Sequence, residues 1–147
     1  MEEFHKNFNL KAIKISPYAQ KVKKPWGYEL IWTDSDSSYV GKLLFIKKGH
    51  RLSLQYHDQK DETQLLLSGK VTRINDDNDG KLVEFNMKKN TGYRIVPGQR
   101  HRLVVWEDSM IVEVSTLEQG TTFRLDDDYK RSNETENLRK QPNRGWS

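Results

Sequence analysis

Gly49-His50-Arg51-Leu52-Ser53-Leu54-Gln55-Tyr56-His57-Asp58-Gln59-Lys60-Asp61-Glu62-Thr63-Gln64-Leu65-Leu66-Leu67-Ser68-Gly69 reads as two strands, 51–57 and 62–68, joined by a short polar turn. Side chains two apart on a strand share a face, so Gln55 and His57 point the same way, and Glu62 opens the returning strand beside them. With His101 as a distant partner, two imidazoles, a carboxylate and an amide converge. That mixed nitrogen and oxygen set suits one borderline divalent ion, Zn, Mn, Fe, Co or Ni, and not a thiolate-loving one. Strand parity also turns Arg51, Ser53, Gln64 and Leu66 inward and Leu52, Leu54, Tyr56, Leu65 and Leu67 outward. An apolar outer face needs a cover, and a homodimer is expected to supply it, with the N-terminal residues as the other possible cover.

Working outward, further strand-like segments fall at about 27–33, 40–48, 70–75, 81–86, 93–96, 101–106 and 110–116. Turn signals such as Asp79-Gly80 and Asn90-Thr91-Gly92 separate them. Many short strands without a strong amphipathic helix predict an all-β sandwich or barrel. The expected organisation is an N-terminal arm over 1–22, a barrel over 23–131, and a polar C-terminal tail over 132–147 able to carry a short helix.

A length of 147 residues supports one domain with a modest core. No apolar run approaches a membrane span, and Met1-Glu2-Glu3-Phe4-His5-Lys6 lacks the order of a signal peptide, so a cytoplasmic address without membrane contact is expected. The chain has no cysteine, which excludes disulfides and thiolate metal sites. A net charge of +4 invites a nucleic-acid reading. The basic residues are scattered among Asp58, Asp61, Asp76, Asp77, Asp79 and Asp126 to Asp128, however, so no nucleic-acid partner is expected.

Around the ligand residues the chain resembles the cupin superfamily. Gly49, Gln55, His57, Glu62 and Gly69 take the places of its first motif, with Gln55 where most members carry histidine. That exchange is similar to the isomerase domain of type II phosphomannose isomerases, whose strand reads L-S-L-Q-x-H, as Leu52-Ser53-Leu54-Gln55-Tyr56-His57 does here. Val96-Pro97-Gly98-Gln99-Arg100-His101 resembles the second motif, P-x-G-x-x-H in essence, with Val96 where the family usually has Pro. Lys24-Pro25-Trp26-Gly27, Tyr39-Val40-Gly41-Lys42-Leu43 and Phe123 to Arg131 resemble the family's flanking segments, so the likeness runs over roughly 24–131. Between His57 and Glu62 the family carries H-H-R-A, and this chain carries Asp58-Gln59-Lys60-Asp61, which puts a point charge in place of a planar fork.

The resemblance implies a jelly-roll barrel and a metal-dependent aldose–ketose isomerase acting on a small phosphorylated sugar. On that reading Gln55, His57, Glu62 and His101 bind the metal. Glu113, a carboxylate in the middle of the strand Ile111-Val112-Glu113-Val114, or Lys60 supplies the base, and Arg51, Lys42 or Arg94 holds the phosphate. Cupin barrels host many chemistries, so a non-catalytic metal- and sugar-binding module, an Fe-dependent oxygenase, an epimerase and a lyase stand as alternatives. An upstream nucleotidyltransferase domain, carried by bifunctional relatives, has no room in this sequence, so guanylyl transfer is not implied.

Overall fold

The computed structural model describes residues 20–147. The expected arm therefore lies outside the described residues except for 20–22, which enter the first strand. Nine strands follow in order: β1 (Gln20–Lys24), β2 (Gly27–Ile31), β3 (Val40–Ile46), β4 (Leu54–His57), β5 (Glu62–Asp76), β6 (Leu82–Asn86), β7 (Gly92–Ile95), β8 (His101–Ser115) and β9 (Thr122–Asp126). A single helical turn, α1 (Glu136–Arg139), and a 3₁₀ turn at Arg144–Trp146 end the chain. The fold is all-β, as the strand pattern predicts, and is the cupin jelly roll that the resemblance implies.

Two long strands build the barrel. β5 and β8 run antiparallel from Glu62↔Ser115 to Asn75↔His101, and their register shifts between Leu66 and Val71. There both strands bend from one layer into the other, which is why the sequence pattern reads each as two short strands. In the first layer, residues 109–115 of β8 pair with β3, which pairs with β2 and then β1, while 62–65 of β5 pair with β7. In the second, Gln55 of β4 pairs with His101, β4 pairs with β9, and 72–76 of β5 pair with β6. Gly69 sits at the bend with φ +97, and a Cβ there would lie 2.6 Å from the Asp108 carbonyl oxygen. Any side chain at 69 would force the two strands apart.

Each inward row changes character along its length. Ile46, Leu44 and Lys42 on β3, Leu66, Gln64 and Glu62 on β5, and Ile111 and Glu113 on β8 are all buried, apolar at one end and polar at the other. The apolar ends meet Trp26, Val71, Met87, Leu103 and Val105 to form the core. The polar ends line the cavity that holds the candidate site.

Parity fails just before β4. Residues 51–53 are not strand apart from one bridge at Arg51, and the register slips between Leu54 and Gln55. Leu52 therefore packs against the core instead of facing outward, and Arg51 points away from the barrel. The strands at Gln20–Lys24 and Thr122–Asp126 go unannounced in the sequence pattern, because Lys and Asp flank too few alternating residues. The tail does not fray: Glu134 bridges to Thr122, and Arg144 and Gly145 are buried. A Cβ at Gly145 would lie 1.8 Å from the Lys23 carbonyl oxygen, so only glycine lets the tail close on β1. No helix among the described residues is long and apolar enough to cross a membrane.

Candidate metal centre

His57 ends β4, Glu62 begins β5 and His101 begins β8, and the fold brings these three buried residues to one corner of the cavity. Their ligand atoms all lie within 4.8 Å of one another. His57 Nε2 is 3.6 Å from Glu62 Oε2, and His101 Nε2 is 3.6 Å from Glu62 Oε1. The far side of each ring is fixed: His57 Nδ1 is 2.9 Å from the Thr122 hydroxyl, and His101 Nδ1 is 3.0 Å from the Gln99 carbonyl oxygen. The Gln99 carbonyl can only accept, so His101 carries its proton on Nδ1 and leaves Nε2 as a lone-pair donor; the Thr122 hydroxyl orients the His57 ring and accepts from Nδ1 in the tautomer a metal-binding histidine requires.

A divalent ion fits this corner. His57 Nε2 is buried without a hydrogen-bond partner, and such an orphaned atom is costly unless something binds it. Ligands held at about 2.1 Å by a tetrahedral ion lie roughly 3.4 Å apart, close to the spacings here. Burial, with His57 and Arg73 nearby, pushes the His101 imidazole down to about 4 against the pull of Glu62, so it is neutral near pH 7 and free to bind. Burial works to raise the Glu62 carboxyl, but Lys60 and the two imidazoles outweigh it and hold the group well below the usual carboxylate range.

Gln55 sits at the edge of this corner with its amide nitrogen 3.5 Å from His101 Nε2, while its carbonyl oxygen accepts from the Ser53 hydroxyl at 2.6 Å. Exchange of the two amide ends would turn the oxygen toward the imidazoles, and the Ser53 hydroxyl can then accept from the amide nitrogen.

Behind the corner stands a buried array of opposite charges. Lys60, from the turn at 58–61, places Nζ 2.6 Å from Glu62 Oε2 as an ion pair and donates to Glu113 Oε2 at 3.0 Å. Gln64 donates to the other Glu113 oxygen at 3.0 Å. Lys42 contacts Glu118 closely and lies 3.6 Å from Glu29 Oε2. Burial disfavours both ammonium groups, yet the surrounding carboxylates raise both above the ordinary lysine range, so both stay charged. Lys24, Arg124, Arg131 and Glu134 also line the cavity.

Glu113, Lys60 and Lys42 are thus brought to the pocket with Gln55, His57, Glu62 and His101. Arg51 and Arg94 are not. Arg51, its side chain 42% exposed, makes two hydrogen bonds to Asp128, and Arg94, 67% exposed, makes two to Asp61. Both guanidinium forks are committed outside the barrel, which removes them from the phosphate role the sequence suggested. Two other cations, Lys24 of β1 and Arg124 of β9, do line the pocket; Arg124 is also a cation the sequence offers for a phosphate.

The sequence matches the family model for the mannose-6-phosphate isomerase C-terminal domain over residues 11–134. The chain belongs to that family. Comparison with curated proteins finds no match. Among solved structures this cupin domain is similar to oxalate decarboxylase from Bacillus subtilis, at 16% identity and TM-score 0.62, covering 72% of this chain and 30% of that one. It is similar also to KdgF from Halomonas sp., at 11% identity and TM-score 0.59, covering 69% and 90%. The capsular polysaccharide assembling protein CapF from Staphylococcus aureus matches at 14% identity and TM-score 0.55, covering 79% and 31%. At these identities the likeness is one of fold. The mannose-6-phosphate isomerase-like domain spans less than a third of the oxalate decarboxylase chain, and another structure of that Bacillus enzyme is described by its Mn(II) centres.

Proposed function

We propose that this domain is a metal-dependent isomerase of a phosphorylated sugar, with Gln55, His57, Glu62 and His101 as the ligands of one divalent ion. The carrying observation is the convergence of the unpartnered His57 Nε2, Glu62 and His101 with a buried carboxylate–ammonium pair, Glu113 and Lys60, in one cavity. When bound, the ion would polarise the sugar oxygens at C1 and C2. Glu113, held by Lys60 and Gln64, is the group to take a proton from one carbon and return it to the next. Lys60 stays protonated, so it serves as a fixed positive charge beside the enediolate oxygen and not as the base.

Charge balance favours a phosphorylated ligand. Five cationic side chains line the cavity, Lys24, Lys42, Lys60, Arg124 and Arg131, against five carboxylates, Glu29, Glu62, Glu113, Glu118 and Glu134. A divalent ion leaves an excess of two positive charges, which a phosphate group of about −1.5 to −2 neutralises. Lys42 is the cation best placed to meet it.

The test is a panel of hexose and pentose phosphates offered to metal-loaded protein. Interconversion of mannose 6-phosphate and fructose 6-phosphate, or of a close relative of that pair, with loss on metal removal, is the expected result. Binding of a sugar phosphate without any turnover would overturn the isomerase reading in favour of a non-catalytic module.

A further inference from the structure

The cavity has a volume of about 60 Å³. That is room for a few waters at roughly 10–15 Å³ each, against about 300 Å³ or more in ordinary small-molecule pockets. No sugar phosphate enters without something moving aside. Most of the charged groups around it are fixed on strands: Lys42 on β3, Glu62 on β5 and Glu113 on β8. Glu118 differs. It belongs to the irregular loop 116–121 between β8 and β9, and its side chain, 18% exposed, is the least buried of the pocket's charged groups that form ion pairs. Its Oε1 contacts Lys42 Nζ and lies 3.9 Å from Lys60 Nζ, the same ammonium that touches Glu62.

We infer that Glu118 occupies the seat of a ligand's oxyanion: its carboxylate fills an anion subsite made by Lys42 and Lys60, and a phosphate enters by displacing it. The physical reason is the burial of Lys42, which requires a negative partner at all times. Glu118 supplies the closer of two such partners in the free protein, the other being Glu29 at 3.6 Å on the strand β2. A phosphate can replace it because it offers more charge and more acceptor oxygens than one carboxylate. The seat lies beside the ammonium that touches Glu62, so a ligand anchored there by phosphate presents its remaining oxygens to the metal corner. Glu118 then acts as a selectivity element, since a neutral sugar has nothing with which to release Lys42. The assignment of phosphate as the displacing group rests on the sugar-phosphate reading, while the subsite itself does not depend on turnover.

The experiment is calorimetric titration of the metal-loaded protein with inorganic phosphate, with acetate as the singly charged comparison. Glu118→Gln removes the internal competitor, and phosphate affinity is expected to rise about tenfold, the effect of roughly one charge-assisted hydrogen bond. The charge-balanced double variant Lys42→Met/Glu118→Gln is expected to lose phosphate binding. Unchanged or weaker phosphate binding by a folded Glu118→Gln protein overturns the proposal. Should that variant fail to fold, the wild-type protein decides: added phosphate must shift the amide resonances of 116–121, and shifts confined to other residues overturn it. Stronger binding of acetate than of phosphate would also overturn phosphate as the displacing group. Phosphate binding that behaves as expected in a protein that isomerises nothing leaves the subsite standing and removes the isomerase.

Discussion

His57 and His101 owe their readiness for metal to what holds their other ring nitrogens. Because Thr122 and Gln99 fix the rings, both Nε2 atoms face Glu62 before any ion arrives, so little ordering is left to be done on binding. Purified protein is expected to carry close to one divalent ion per chain by elemental analysis, and His57→Ala or His101→Ala to reduce that to near zero. Gln55→Ala is expected to weaken retention by less than about tenfold, because a neutral amide is the weakest ligand and water can take its place. Metal content unchanged in both histidine variants would refute the site. That Gln55, His57 and Glu62 share one pocket was legible in the sequence because their spacing is local to two strands and a turn, and His101 joined them through its own motif. Arg51 and Arg94 were misread for a different reason: where a long cation points depends on which carboxylate lies nearby in space, and Asp128 and Asp61 are partners that no periodicity reveals. Glu118 gave no signal at all, since an irregular loop has no parity from which to infer a direction.

Among the elements, the tail has the most to say about stability. Glu134, beyond β9, lies 3.6 Å from Lys24 of β1, 3.2 Å from Arg124 of β9, 3.1 Å from Arg139 of α1 and 3.7 Å from Arg144 of the 3₁₀ turn. Burial works to raise its carboxyl, but Lys24 and Lys42 outweigh that and lower it from the ordinary 4.5 to about 2. A lowered carboxylate contributes stability that is complete above the unfolded value and is lost as pH falls from about 4.5 toward 2, a contribution on the order of 3 kcal/mol. Glu134→Gln is therefore expected to destabilise the protein at pH 7 and to flatten its urea-unfolding stability between pH 5 and pH 2 relative to wild type. Parallel acid profiles for the two proteins would count against Glu134 as the clamp. The polar composition of 132–147 concealed this role, because charge in a sequence looks the same whether it is solvated or buried among partners. The bend at Gly69 was concealed in a similar way: a strand that changes layers reads as two strands separated by a turn signal.

At the scale of the molecule, the outer face of the first layer lacks a cover among the described residues. The strand registers align Leu30 with Leu43, Leu43 with Val112, and Val112 with Leu65. In the neighbouring row Tyr28 meets Phe45 and Phe45 meets Met110, with the two aromatic rings stacked at 5.2 Å. At the far edge Leu67 and Val114 are 49% and 47% exposed. Leu52 leaves the outward set that parity assigned, but the correct rows on β2 and β3 extend that set into a broader face. We propose that a second copy packs on this apolar sheet surface; two copies meeting through it, each burying about 800 Å², would make a stable two-fold dimer. Light scattering at micromolar concentration is expected to give twice the 17.3 kDa chain mass. Val112→Glu, placed at the centre of the face, is expected to give the monomer mass while retaining bound metal, since Val112 points away from the cavity that its neighbour Glu113 enters. A monomer mass for the unaltered protein would overturn the dimer, and loss of metal along with the dimer in Val112→Glu would mean that the sheet holds its ligands only when paired.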